Sequence, residues 1–428
     1  MCKIIFFISL KNYKINYIVI MELQNKNVIR ISNQDDSKNI NINAQFLEEG
    51  EENGGFDPGV IKILNDYKHT IDDIENIKEW DYYKKLSNPF ELVNCFVKNK
   101  TVNLGIGNHN SISRAFYKFW EMILDFNLID NSLPQITMGA LAEGPGGFME
   151  AFSFYRRKYS RYPTNDIINC ITLNNMNDVN IPDWKNIPGC KYNVSWGKDG
   201  TGNLYKLDNI IHFSQLFKNK KAHIVTADGG FDFSSDYSNQ ELSIQRLIFS
   251  ELVAALSILR NDGHFVIKIF DIFYKSTVDT IYIMSLYFKE IYIVKPNTSR
   301  PANSEKYLVC KYFKGITRAK LTELYEVIKL YEQHPGKIIK RFLDSDIPVD
   351  FVTGINNYNI SAIANQLKYI MKTNINISSE LSNENINSIK NEQCVYSLSW
   401  CIKYDFDINK KSRYLNMKLK YNYMPNFF

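Results

Sequence analysis

The sequence predicts an α/β protein: a mainly parallel sheet with helices on both faces and an antiparallel last strand. Three observations carry that reading. Apolar runs of strand length alternate with helical patterns from about residue 111 to residue 314. Those runs are apolar throughout rather than at every second position, as strands covered on both faces are. The last two, "IYIVKP" and "YLVCKYF", are separated only by a short turn-like link, which obliges them to pair antiparallel.

The elements follow in order. "SISRAFYKFWEMILDF" places Phe116, Phe119, Trp120, Ile123 and Leu124 at helical spacing, with Ser113 as the expected N-cap. "QITMGALA" is a strand, "GGFMEAFSFYRRKY" opens a helix, and "DIINCITL" and "AHIVTADGG" are further strands. A long helix runs from about Gln240 to Arg260, apolar around most of its circumference. "HFVIKIF" is a strand and "STVDTIYIMSLYFKE" a helix before the two closing strands. Residues 57–110 hold short helical patterns and read as a helical N-terminal extension, and 315–428 as a helical C-terminal extension without an assigned role. Residues 1–56, acidic around "LEEGEENGG", read as a disordered or mis-annotated lead, with translation starting at Met21. The apolar patches of "MCKIIFFISLKNYKINYIVIMELQNKN" are too short and too interrupted to span a bilayer and lack a small-residue cleavage site.

A chain of 428 residues, 45% hydrophobic and 23% charged, buries a large core in the ordinary manner of globular proteins. Its net charge of +5 excludes a histone-like binder but allows a local basic groove. The seven cysteines form no C-x-x-C pair and the six histidines no H-x-x-x-H, so reduced thiols in an intracellular protein, and no metal site, are expected.

"LAEGPGGFME" joins a strand to a helix, where an α/β sheet places its ligand loop. Gly144, Gly146 and Gly147 permit a sharp turn and close approach of a ligand, although a tight turn that binds nothing also uses glycine. The loop is neither G-x-G-x-x-G nor a Walker loop. Leu173 and Asn174 stand where a dinucleotide site wants an acidic residue. In "WGKDGTGNLY", Asp199 either accepts hydrogen bonds from a ligand edge or closes an exposed Asp-Gly turn.

Four polar residues punctuate the pattern. Asp228 ends a strand, where α/β proteins keep catalytic groups. Lys268 stands inside an apolar strand, where an ammonium must be paired or made less basic. Glu305 opens the last strand, and Lys118 sits beside the apolar stripe of the first helix. Arg156, Arg157 and Lys158 follow the glycine loop as candidates for holding phosphates or as a solvated helix end.

"SRAFYK", "EGPGGF", "ADGGFDF", "GHFVIKIFD" and "SRPANSEKYLVCK", in this order, resemble the FtsJ-like (RrmJ-type) ribose 2′-O-methyltransferases. Within that family the chain is most similar to the mRNA cap-1 methyltransferases of eukaryotes and large DNA viruses. The resemblance implies a Rossmann-like fold with a seven-stranded sheet that binds S-adenosylmethionine and needs no metal. It also implies a catalytic tetrad of Lys118, Asp228, Lys268 and Glu305. Ser113, Glu143, Gly144, Pro145, Gly146, Gly147 and Phe148 would line the methyl-donor site together with Asp228, and Asp199 and Gly200 would lie near the adenine. Ser238, Asn239, Gln240 and Asn303 would contact RNA. The implied substrate is the single-stranded capped 5′ end of mRNA, modified at the first transcribed nucleotide. RNA polymerase or other capping enzymes are implied partners, and no membrane is. The location would be the nucleus of a cell, or the host cytoplasm, factory or virion of a virus. Lys268, made less basic by burial, is the expected general base. Alternatives are transfer to rRNA, tRNA or the second cap nucleotide, or a non-catalytic subunit that binds capped RNA or scaffolds a capping complex.

Overall fold

The computed structural model describes residues 4–9, 16–21, 28–31, 40–51, 54–70, 77–94, 105–162, 165–174, 184–187, 189–230, 239–379 and 381–418. Its centre is a sheet of eight strands, here numbered along the chain. They are β1 Val28–Ile31, β2 Thr137–Leu141, β3 Ile167–Ile171, β4 Asn193–Ser195, β5 Ala222–Ala227, β6 Leu259–Ile269, β7 Phe288–Val294 and β8 Lys306–Phe313. Their order across the sheet is β1-β7-β8-β6-β5-β2-β3-β4. The pairs β2–β3, β2–β5, β3–β4 and β5–β6 are parallel. β8 runs antiparallel to both β6 and β7, as the short link demanded.

The expected seven strands become eight because β1 adds to the β7 edge, Ile31 opposite Ile291. An unpaired strand edge offers a row of free amides and carbonyls, and the apolar "VIRI" supplies a short partner. The segment read as a disordered lead therefore contains β1 and a second strand, Ile42–Phe46, which pairs with Ile339–Leu343. Ile4–Ser9 and Asn16–Met21 form a separate antiparallel pair.

Strand side chains alternate between two cores, as the period of two requires. Val225, Phe265, Ile267, Leu308 and Cys310 face helices Leu207–Gln215, Gln240–Ile258, Lys275–Tyr287 and Arg318–Gln333. Ile224, Val266, Tyr307 and Val309 face helices Ala115–Phe126, Gly147–Tyr159 and Asn383–Lys403. Helix Ala115–Phe126 starts after Arg114, and Ser113 does not cap it. The C-terminal extension is part of the second core: Trp120 donates its indole N–H to the Tyr404 carbonyl at 3.0 Å and packs edge-on against Phe406. Among the described residues no helix is long and apolar enough to cross a membrane.

Candidate active site

Register brings the four singled-out residues together. Parallel pairing sets Ala227 of β5 opposite Ile267 of β6, so Asp228 leaves the sheet beside Lys268. Antiparallel pairing sets Lys306 of β8 opposite Ile269, so Glu305 arrives at the same edge from the other direction. Helix Ala115–Phe126 lays Lys118 over that edge. Lys118 Nζ lies 2.6 Å from Glu305 Oε1, and Lys268 Nζ lies 3.3 Å from Asp228 Oδ1 and 2.8 Å from the Asp228 carbonyl. The Tyr307 hydroxyl joins the two pairs, 3.0 Å from Asp228 Oδ1 and 3.3 Å from Glu305 Oε1. Each of the four charged side chains keeps between 13% and 16% of its surface, so the set lines a cleft instead of a sealed core.

The charges tune one another. Burial would raise the Glu305 carboxyl, but Lys118, Lys268 and Lys295 outweigh it and hold it down to about 2. Burial likewise pushes Lys268 down, yet Asp228, Glu305 and Glu251 together leave it above its ordinary value. The expectation of a less basic Lys268 is therefore not met in the free protein, because three carboxyl groups surround one ammonium. Glu251, on helix Gln240–Ile258, is 1% exposed, and the group nearest its carboxyl is the Gly229 backbone amide. It lies so close beneath Gly229 that an added Cβ there would come 2.3 Å from its Oε1.

Residues 111–313 match the FtsJ-like methyltransferase family. This segment is an FtsJ-like methyltransferase domain. Over a longer stretch, the chain is 28% identical to the cap-specific mRNA (nucleoside-2′-O-)-methyltransferase 1 of Danio rerio, across 73% of this chain and 38% of that protein. It is 29% identical to the cap-specific mRNA (nucleoside-2′-O-)-methyltransferase 2 of Pongo abelii, across 59% of this chain and 33% of that protein. The chain thus spans well under half the length of these relatives. A putative ribosomal RNA methyltransferase from Plasmodium falciparum overlaps 48% of this chain and 99% of its own, at 19% identity and a TM-score of 0.35, too loosely to bear on function.

In the FtsJ-like domain the glycine loop packs against the start of helix Ala115–Phe126. Gly146 takes a φ of 110°, which favours glycine, and a Cβ on Gly147 would come 2.3 Å from Ser113 Oγ and 2.9 Å from Ala115 Cβ. Ser113 Oγ and Glu143 Oε2 are buried without a hydrogen-bond partner, while Glu143 Oε1 accepts from the Thr226 hydroxyl. Burial pushes the Glu143 carboxyl well above the usual range. Gly144 and Pro145 are half-buried, and Phe148 turns into the core, stacked 4.7 Å from Phe119.

The remaining expected residues divide. The Asp199 carboxylate is engaged inside its own loop by Lys206 at 2.6 Å, Thr201 at 2.7 Å and Asn209 at 2.9 Å, which hold it well below the usual range. Gly200 next to it has open space around its Cα. Asn303 is exposed close to the tetrad, whereas Gln240 is buried and accepts from Ser304 Oγ at 2.6 Å. Asn239 is exposed and precedes helix Gln240–Ile258, and Ser238 lies outside the described residues. Arg156 is fully buried on Asp166, Arg157 donates to Ser153, and Lys158 pairs with Asp405, so the helix end does not face the cleft as a phosphate clamp. Among the described residues no cluster of three or more metal-ligating side chains occurs.

Sequence reasoning missed Tyr307, Glu251 and Lys295. Lys295 ends the apolar run of β7, the same signal that singled out Lys268. It also missed Glu91, from the N-terminal extension, which lies 3.2 Å from Arg114 and 2.9 Å from Arg300.

Proposed function

We propose that the chain is an S-adenosylmethionine-dependent methyltransferase acting on the 2′-hydroxyl of the first transcribed nucleotide of capped mRNA. The carrying observation is the pairing of Lys118 with Glu305 and Lys268 with Asp228, bridged by Tyr307 beside the glycine loop. The names of the relatives support capped RNA as the substrate. The residues present fit the donor: two buried polar atoms without partners, Ser113 Oγ and Glu143 Oε2, flank a loop too tight for a side chain at Gly147. Ser113, Glu143 and the backbone from Gly144 to Gly147 would hold the donor, with room at Gly200 for the adenine edge. When bound, it supplies a sulfonium-activated methyl group for in-line displacement, and its positive charge opposes an ammonium at Lys268.

A ribose hydroxyl is a poor nucleophile and needs both deprotonation and alignment. Lys268 takes its proton, Asp228 and Tyr307 hold Lys268 in place, and Lys118 steadies the oxygen as charge develops. The free protein keeps Lys268 above its ordinary value, so kcat/KM should climb with pH through the alkaline range. With the donor limiting, so that the free protein is what titrates, a plateau already reached near neutrality would contradict Lys268 as base. Lys268→Ala should abolish methyl transfer to capped RNA while donor binding by calorimetry stays within about twofold. Near-parental activity in that variant would sink the mechanism. Relatives of both printed kinds match to a similar extent, so transfer to the second cap nucleotide is the competing reading. Mass-spectrometric mapping of the methylated nucleotide on cap-0 RNA separates the two.

A further inference from the structure

We propose that Lys295 is a positioning residue of this site, orienting the Asn303 amide toward the RNA and fixing the strand entry that carries Glu305. The inference rests on the methyltransferase reading and adds a group outside the tetrad. Lys295 follows the last residue of β7, and its ammonium reaches across to the turn that opens β8. There it donates to Asn303 Oδ1, to the Asn303 carbonyl at 2.7 Å and to the Glu305 carbonyl at 2.5 Å. An ammonium has three N–H donors and no acceptor, so all three are used.

Two consequences follow. A group that only donates selects the oxygen of the Asn303 amide, which turns the N–H₂ of that exposed side chain the other way, as a donor toward an incoming ribose or phosphate oxygen. The bond to the Glu305 carbonyl fixes the backbone from which Glu305 reaches Lys118. Lys295 is no ordinary solvated lysine. Burial, with Lys306 and Lys118 as repelling neighbours, brings it down to about 7, although Glu305 pulls the other way. Its three donors converge on the one turn that carries Asn303 and Glu305, which makes it a functional-site candidate on geometry as well as on charge.

The turn has other ties. Ser299 donates to Glu305 Oε1 at 3.0 Å, Gln366 to the Ala302 carbonyl at 3.1 Å, and Glu121 accepts from the amides of Asn297 and Thr298 at 2.7 and 2.8 Å. Removing Lys295 should therefore leave the fold intact and misplace the site, and small misplacements are expensive in rate.

The test uses the full chain, S-adenosylmethionine and a short cap-0 RNA. Lys295→Met should lower kcat by about 100-fold while the KM for the donor stays within twofold. Asn303→Asp keeps an oxygen for Lys295 but loses the N–H₂ donor, and it should lose activity to a similar extent. The double variant Lys295→Met/Asn303→Ala should lose less than the product of the two single losses, since the part of each loss that runs through the Asn303 amide is shared. Losses that multiply, or a Lys295→Met enzyme within twofold of the parent, overturn the assignment. Should Lys295→Met not fold, full activity of Asn303→Asp overturns it instead. A parent chain that transfers no methyl group brings down the methyltransferase reading itself, whereas an active parent with unimpaired variants brings down only the role of Lys295.

Discussion

Glu305 and Glu251 flank the same ammonium, Lys268, and titrate in opposite directions. Glu305 is held at about 2, below its ordinary 4.5, so the folded state binds fewer protons there than the unfolded chain. The stability this supplies is present above pH 4.5 and is lost as pH falls toward 2. Urea melts across that window should show Glu305→Gln destabilised most at neutral pH, by roughly 3 kcal/mol at about 1.4 kcal/mol per pH unit, with the gap closing in acid. A gap independent of pH would mean that the ion pairs do not hold Glu305. Glu251 has the reverse sign: burial lifts its carboxyl well above 4.5, so the folded state keeps a proton that the unfolded chain releases. Its contribution is lost as pH rises from its ordinary value through the raised one. Glu251→Gln removes the titration and should gain stability relative to the parent between pH 5 and pH 8; a constant difference over that range would refute the assignment. Lys268 was legible in the sequence because a lysine interrupts an apolar strand. Glu251 was not, because "LIFSELVAAL" shows one charged residue on a helix and not which way it faces.

Among the elements, the strands with continuous apolar runs were legible, and with them the edge where Asp228, Lys268 and Glu305 gather. β1 and β4, at four and three residues, were not, since such short segments carry too little pattern to stand out and form only by adding to an existing edge. The glycine loop was legible as a tight strand-to-helix turn, but its tightest neighbour was not. That neighbour is the start of helix Ala115–Phe126, well upstream in sequence. A Cβ on Gly147 would lie 2.9 Å from Ala115 Cβ and 3.2 Å from the Phe116 nitrogen, and neither can swing away. Gly147→Ala should therefore push the loop off the helix, lower stability by about 1–3 kcal/mol and weaken donor binding, both readable by calorimetry. Full stability with full donor affinity would mean that the two elements are not in this contact.

At the scale of the whole molecule, the segments on either side of the FtsJ-like domain are built into it. Gln393 donates to the carbonyls of Lys85, Leu86 and Asn88, so the C-terminal extension clamps the N-terminal one. Buried Lys68 reaches Asp271 at 3.1 Å, and Lys306, next to Glu305, meets the same carboxylate at 3.3 Å. None of this showed in the sequence: "NENINSIKNEQCVYSLSWCIK" has no apolar stripe, and its buried residues are defined only by what packs on them. Trp400 is the clearest case, 2% exposed, with Tyr117 at 5.7 Å, Tyr404 at 5.1 Å and Phe406 at 5.5 Å between ring centroids. Tyr117 precedes the tetrad residue Lys118, so a cavity at Trp400 loosens the helix that aims Lys118 at Glu305. Trp400→Ala should cost about 3–5 kcal/mol and lower methyl transfer with it. A chain confined to residues 111–313 would leave Phe116 and Trp120 without the C-terminal ring cluster and should be recovered insoluble or as a dye-binding, non-cooperative species. A sharp melting transition and methyl transfer from that fragment would show that the core closes without its extensions.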